Sequence, residues 1–177
     1  MQLNRVPLLC TILLLSSAPL NSQGWQQWRP AKSLWVPITS PPFARYAAQD
    51  TFAGTPAAVN LRSNPRASLY RTNLREGAKV GPNFAGHFTL LMWGCGGTDC
   101  ATLAIIDART GRVYFAPFYV YAEVSYQRTS RLLVVDPFTS WMTEADRAGP
   151  RFQYQYLWDG ERLVLHDSVT MRPLPQR

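Results

Sequence analysis

Residues 81–114, GPNFAGHFTLLMWGCGGTDCATLAIIDARTGRVY, restrict the possible folds more than any other part of this chain. They read as two strands separated by a tight glycine loop, followed by a turn into a third strand. His87 to Trp93 is aromatic and aliphatic, with Gly86 and Gly94 as punctuation. Gly94 to Cys100 holds glycines at 94, 96 and 97, so the backbone there can reach positive φ and double back. Ala101 to Ile106 is a nearly unbroken apolar run, the pattern of a strand covered on both faces. Asp107-Ala108-Arg109-Thr110-Gly111 is turn chemistry, and Arg112 to Phe115 returns as the partner strand. This pattern predicts a hairpin near residues 101–116.

The flanking sequence extends this to a β-rich α+β domain over residues 61–170. It predicts an antiparallel sheet of about five or six strands with one helix. Asn64-Pro65 is a helix start, with Asn as cap and Pro at the first helical position, which places the helix near residues 65–77. Leu69, Tyr70 and Leu74 would form its buried side. Arg62, Arg66, Arg71, Arg75 and Lys79 form a basic stripe that a solvated face or an acidic partner would each explain. Arg131 to Asp136 reads as a short buried strand. Residues 117–126 read as an extended crossing, and 139–149 as a loop with one helical turn near 143–147. Phe152 to Trp158 alternates aromatic and polar residues. Asp159-Gly160 is a two-residue hairpin signal that would close a second hairpin near residues 152–167. Residues 25–60, with several tryptophans among prolines, suggest an extended arm with a short strand near 34–38. Residues 171–177 read as a loose tail.

The first 24 residues have the layout of a secretory signal. Arg5 precedes a ten-residue apolar run, then small residues, with cleavage expected near residues 22–24. The run is too short to serve as a membrane span. Cleavage would remove one arginine and no acid, so the formal charge would fall from +7 to +6. Such a domain is drawn to anionic surfaces or acidic partners, but no nucleic-acid recognition motif accompanies the charge. The expected location is periplasmic or secreted, the expected state a monomer or weak oligomer. The expected partner is a protein or a cell-envelope glycan. An oxidising compartment would join Cys95 and Cys100 in a disulfide closing a very small loop.

Several chemistries compete for these residues. A hydrolase could use His87 as base with Asp99 as orienter and a cysteine as nucleophile, but paired cysteines cannot act as thiolates. A soft metal could draw on His87, Met92, Cys95 and Cys100, yet C-x4-C with one histidine lacks the spacing of a structural zinc site, and neither a metal nor a cofactor is expected. Gly81 and Gly86 open like a phosphate loop, but His87 and Phe88 stand where lysine and a hydroxyl residue are needed. Tyr119, Tyr121, Tyr154, Tyr156 and Trp158, interleaved with Arg128 and Arg151, could form either core or a binding face for sugars or a protein. The leading expectation is a non-catalytic binding or inhibitor-type protein. Its contact surface would comprise Trp93, Cys95, Gly96, Gly97, Cys100, Tyr119 and Tyr121.

Asn83-Phe84-Ala85-Gly86-His87-Phe88, then Trp93-Gly94-Cys95-Gly96 and Cys100, then Ile106-Asp107 and Thr110-Gly111, resemble a group of uncharacterised bacterial exported proteins. A weaker echo lies in Trp158-Asp159-Gly160. The resemblance implies an envelope or secreted location and brings no activity with it.

Overall fold

The computed structural model describes residues 35–37, 39–97, 100–121, 123–136 and 150–173. The expected signal segment, Asp99, the 143–147 turn and the last four residues lie outside them. Within the described residues the chain forms β1 (Trp35–Pro37), a 3-10 turn (Phe43–Tyr46), α1 (Arg71–Ala78), β2 (Phe88–Gly94), β3 (Ala101–Asp107), β4 (Val113–Phe115), β5 (Val124–Tyr126), β6 (Leu132–Val135), β7 (Arg151–Trp158) and β8 (Leu163–Pro173). The domain is β-rich with one helix, and every strand pairing is antiparallel.

The strands do not form the single sheet expected from sequence. They divide into a three-stranded sheet, β2-β3-β4, and a five-stranded sheet, β1-β8-β7-β6-β5. The physical reason is the apolar character of β2 and β3 on both faces. Phe88, Leu90, Leu103 and Ile105 point to one side, where they meet Leu133, Trp158 and Leu163 of the larger sheet. Leu91, Trp93, Ala104 and Ile106 point to the other, where they meet Ala67, Leu74 and Val113. One sheet could not cover both faces of its own strands, so the hairpin becomes the middle layer between helix and second sheet.

Both expected hairpins are present. Phe88 opposes Asp107 and Gly94 opposes Ala101 in β2–β3, and Ile106 opposes Val113 in β3–β4. Trp158 opposes Leu163 at the start of β7–β8. That ladder shifts register between Gln155 and Tyr156. Beyond the shift, Gln153 and Gln155 are the buried residues of β7, whereas Phe152 and Tyr154 are exposed. Leu165, grouped by alternation with Leu163, is also exposed. Met171 to Pro173, expected in a loose tail, belong to β8 because β1 supplies them with a ladder partner.

The helix is shorter than residues 65–77. Asn64 does accept the Arg66 N–H through its side chain (3.0 Å), but Ala67, Leu69 and Tyr70 then make three-residue turns, and the α-helix begins at Arg71. The tighter winding brings Ala67 and Tyr70 inward and leaves Leu69 77% exposed. Leu74 and Gly77 are the helix's buried positions, Gly77 so close to Leu91 that a β-carbon would lie 2.5 Å from it.

Residues 47–60 run as a strap along the hairpin ends. Asn60 N–H donates to the Gly111 carbonyl, Ala57 N–H to Ala108, and Ala48 N–H to Thr129, each at 2.8 Å. Two glycines permit this approach. Gly86 (φ 85°) and Gly111 (φ 72°) have left-handed backbones, and a β-carbon on either would meet the Asp50 or the Ala58 carbonyl oxygen. Gly86→Ala and Gly111→Ala are each expected to lose about 2–4 kcal/mol, combining backbone strain with overpacking. Gly81→Ala, at φ 76° but facing open space, should lose only about 1–2 kcal/mol. Urea unfolding of the three variants measures the difference, and equal losses would remove strap contact as its cause.

Candidate functional site

The turn before β2 is built by side chains that imitate backbone. Asn83 donates from Nδ2 to the Leu90 carbonyl (3.1 Å) and accepts the Leu90 N–H at Oδ1 (2.7 Å), taking the place of a neighbouring strand. Phe84 is fully buried in the main core. Ala85 (φ 44°) and Gly86 are both left-handed, so the chain reverses and sets His87 beside the strap. At the far end of β3, Asp107 organises its own turn, accepting the Arg109 N–H (2.8 Å) and the Thr110 hydroxyl (2.7 Å). The Ala108 N–H donates to the His87 carbonyl (2.9 Å), which ties the two turns together.

These turns place His87 between two carboxylates. Its Nδ1 donates to Asp50 Oδ1 (2.7 Å), and its Nε2 lies 3.8 Å from Asp107 Oδ1. Arg109 completes the cluster with a 2.9 Å ion pair to Asp50. The His87 ring lies against Phe88, 4.1 Å between centroids. The hydrogen bond from His87 holds the Asp50 carboxyl below the usual aspartate range; partial burial opposes this and Arg109 adds to it. The neighbouring Asp159 is also lowered, first by the Glu161 backbone N–H, within the Asp159-Gly160 turn.

Around this cluster opens a cleft of about 270 Å³. Phe88, Tyr114 and Trp158 are its aromatic walls; Asp50, His87, Asp107, Arg131 and Asp159 are its polar ones. Tyr114 packs edge-on against Trp158 at 5.2 Å, and burial pushes its hydroxyl up from the ordinary tyrosine value. Arg131 donates through Nη1 to the Trp158 carbonyl (3.3 Å), while Arg131 Nε and Trp158 Nε1 are buried without a partner. The arrangement can accept hydrogen bonds at its carboxylates, exchange a proton at His87 and pack a ring against its aromatics.

The sequence-predicted residues divide between two ends of the β2–β3 hairpin. His87 is in the cleft. Cys95, Gly96, Gly97 and Cys100 lie beyond the opposite end of β2, roughly 20 Å away at a strand's rise per residue. Cys95 and Cys100 form a disulfide with Cα atoms 5.6 Å apart. Histidine, paired cysteines and Met92 therefore do not converge on one nucleophilic or soft-metal site, and Asp99 is not among the described residues. Trp93 is buried against Tyr70 rather than offered as contact surface. Tyr119 and Tyr121 are exposed, as is Tyr154. Tyr156 instead stacks on Phe118 at 4.7 Å, and Trp158 is core.

Asp50 and Arg131 carry the cleft but were not singled out by sequence. Asp50 lies in an unpatterned polar stretch, thirty-seven positions before His87. Arg131 opens an apolar strand. Asp107 reads as a turn residue and as one of several scattered acids with no pairing spacing. The nearest sequence signal for the site was the clustering of turn chemistry at 83–87, 107–111 and 159–160. Comparison with known protein families, with curated proteins and with solved structures found no match. No helix among the described residues is long and apolar enough to cross a membrane.

Two measurements follow from this geometry. Because Asp50 and Asp159 are depressed in the folded state, their contribution is fully present above the ordinary aspartate value near 3.9 and is lost as pH falls through the lower folded values. Asp50→Asn should therefore flatten the fall in urea midpoint between roughly pH 5 and 2. At neutral pH it should cost less than about 1 kcal/mol, since the exposed carboxylate is screened. For the disulfide, peptide mapping after alkylation should label neither Cys95 nor Cys100 until reduction. Reduction should cost near the low end of the usual ~2–4 kcal/mol, the loop being short.

Proposed function

We propose that this is an exported, non-catalytic binding protein whose ligand is a sugar unit of an envelope glycan, seated in the Asp50–His87–Asp107 cleft. One observation carries the reading: three separate turns and the strap meet around a single cleft with aromatic walls and a carboxylate rim. Carboxylates accept hydrogen bonds from hydroxyl groups, and aromatic side chains pack against the C–H face of a sugar ring. The volume suits one ring with its substituents. The unpartnered Arg131 Nε and Trp158 Nε1 are donors that a ligand oxygen would satisfy on rearrangement. Three segments of the resemblance to exported proteins, at 83–88, 106–111 and 158–160, border this same cleft.

A second reading is a hydrolase. A histidine oriented by a carboxylate at Nδ1, with Nε2 toward a cleft, can serve as a general base for water. Among the described residues the cleft lining holds no serine or cysteine beside His87, so hydrolysis here would proceed by direct attack of water.

Calorimetric titration of the full chain with soluble cell-wall fragments tests both. The expected result is saturable binding that Asp107→Asn and His87→Gln each weaken about tenfold, the scale of one charge-assisted hydrogen bond, with no change in the fragments by mass spectrometry. Fragment cleavage abolished by His87→Gln would replace binding with hydrolysis. Absence of binding to any fragment would overturn the glycan assignment.

A further inference from the structure

A second cavity, of about 180 Å³, lies near the disulfide end of the hairpin, lined by Arg66, Thr102, Ala116, Pro117, Phe118 and Tyr119. Its chemistry differs from that of the His87 cleft: no carboxylate lines it among the described residues. Thr102 is 2% exposed, and its hydroxyl has no hydrogen-bond partner. Trp93, directly opposite Thr102 on β2 and on the same face, is 4% exposed, and its Nε1 also has no partner. Two adjacent buried polar groups without partners are unusual, because each forfeits its hydration on folding and regains nothing. Arg66 holds its guanidinium carbon 4.5 Å from the Phe115 ring centroid, and none of the ion pairs among the described residues includes it. A guanidinium over a ring face still has N–H donors to offer.

We propose that this cavity binds the carboxylate of an organic acid. The Arg66 guanidinium takes the two carboxylate oxygens, and the Thr102 hydroxyl donates to one of them. The apolar part of the ligand rests on Phe118 and on Tyr119, which is 50% exposed. A planar carboxylate suits the guanidinium fork, and the Ala116-Pro117-Phe118 wall suits an attached hydrocarbon or ring better than a bare inorganic ion. The site is independent of the His87 cleft, since the two lie at opposite ends of β2.

Nitrogen-15 NMR of the full chain tests this, with benzoate as probe, benzamide as its neutral isostere and inorganic phosphate as a bare oxyanion. The Trp93 indole N–H, identified by its loss in Trp93→Phe, and the Thr102 amide should shift saturably with benzoate. Neither should shift with benzamide, and phosphate should produce weaker shifts. Arg66→Gln should raise the benzoate Kd about tenfold, the loss of a charge-assisted pair. Tyr119→Ala, at an exposed position where folding is not at stake, should raise it by a smaller factor. His87→Gln should leave it unchanged, so that failure of the glycan reading and failure of this one are distinguishable. Equal shifts with benzamide, an unaltered titration in Arg66→Gln, or no saturable shift would each overturn the site. Phosphate binding as tightly as benzoate would overturn the organic part of the assignment.

Discussion

The β2–β3 hairpin is apolar on both faces, and both faces must leave water. Fully burying one large aliphatic or aromatic side chain is worth roughly 1.5–3 kcal/mol, so a hairpin carrying Leu90, Leu103 and Ile105 on one side and Leu91, Trp93 and Ile106 on the other demands two covering layers. The five-stranded sheet is one layer; α1 and the turns preceding it are the other. Gly77 lets the helix backbone come down onto Leu91, and Trp158 reaches from the larger sheet to Phe84, Phe88 and Tyr114. The three-layer order follows from that double burial.

A middle-layer hairpin has ends that emerge between the layers, and the His87 cleft and the Arg66 cavity occur at those ends. At one end, the Ala85-Gly86 reversal and the Asp107 turn bring histidine and carboxylate together. The strap closes over them because Gly86 has no side chain to obstruct the Asp50 carbonyl. At the other end, the disulfide holds the glycine loop, and the chain returns past Ala101 through a backbone bridge to Val120. The polar residues at each end differ: carboxylates and arginines surround His87, whereas among the described residues Arg66 and Thr102 line the other cavity without a carboxylate. One hairpin thus carries two cavities of different lining, with β-structure between them.

The residues of the 83–88, 106–111 and 158–160 turns have separable physical roles. Asn83 substitutes for a strand edge, Phe84 anchors the turn in the core, Gly86 clears the strap, and His87 faces the cleft. Asp107 is at once a turn organiser and a wall of that cleft. The Trp158-Asp159-Gly160 turn supplies core with its tryptophan and rim with its aspartate. A motif of this kind can be structural and functional in the same residues, because a sharp turn displays its neighbouring side chains at a sheet end.

Local pattern alone was enough to reveal both hairpins, the double-sided burial of β3, the short strand at residues 35–37 and the pairing of Cys95 with Cys100. Each depends on neighbours in sequence or on alternation over a few residues. Tertiary structure decided what depends on distant partners. The division into two sheets required knowing what covers each face of β2. That β7 buries Trp158 at one end but Gln153 and Gln155 at the other, leaving Phe152 and Tyr154 exposed, depends on what packs on each face along its length, which the strand's own alternation does not record. The helix start moved from 65 to 71 because Ala67 and Tyr70 turn toward the core through three-residue turns. Asp50 could not be read as His87's partner, since an extended strap leaves no periodic trace of where it crosses. Sequence records which surfaces must be buried and where the chain can turn; only the assembled layers determine which side chains meet.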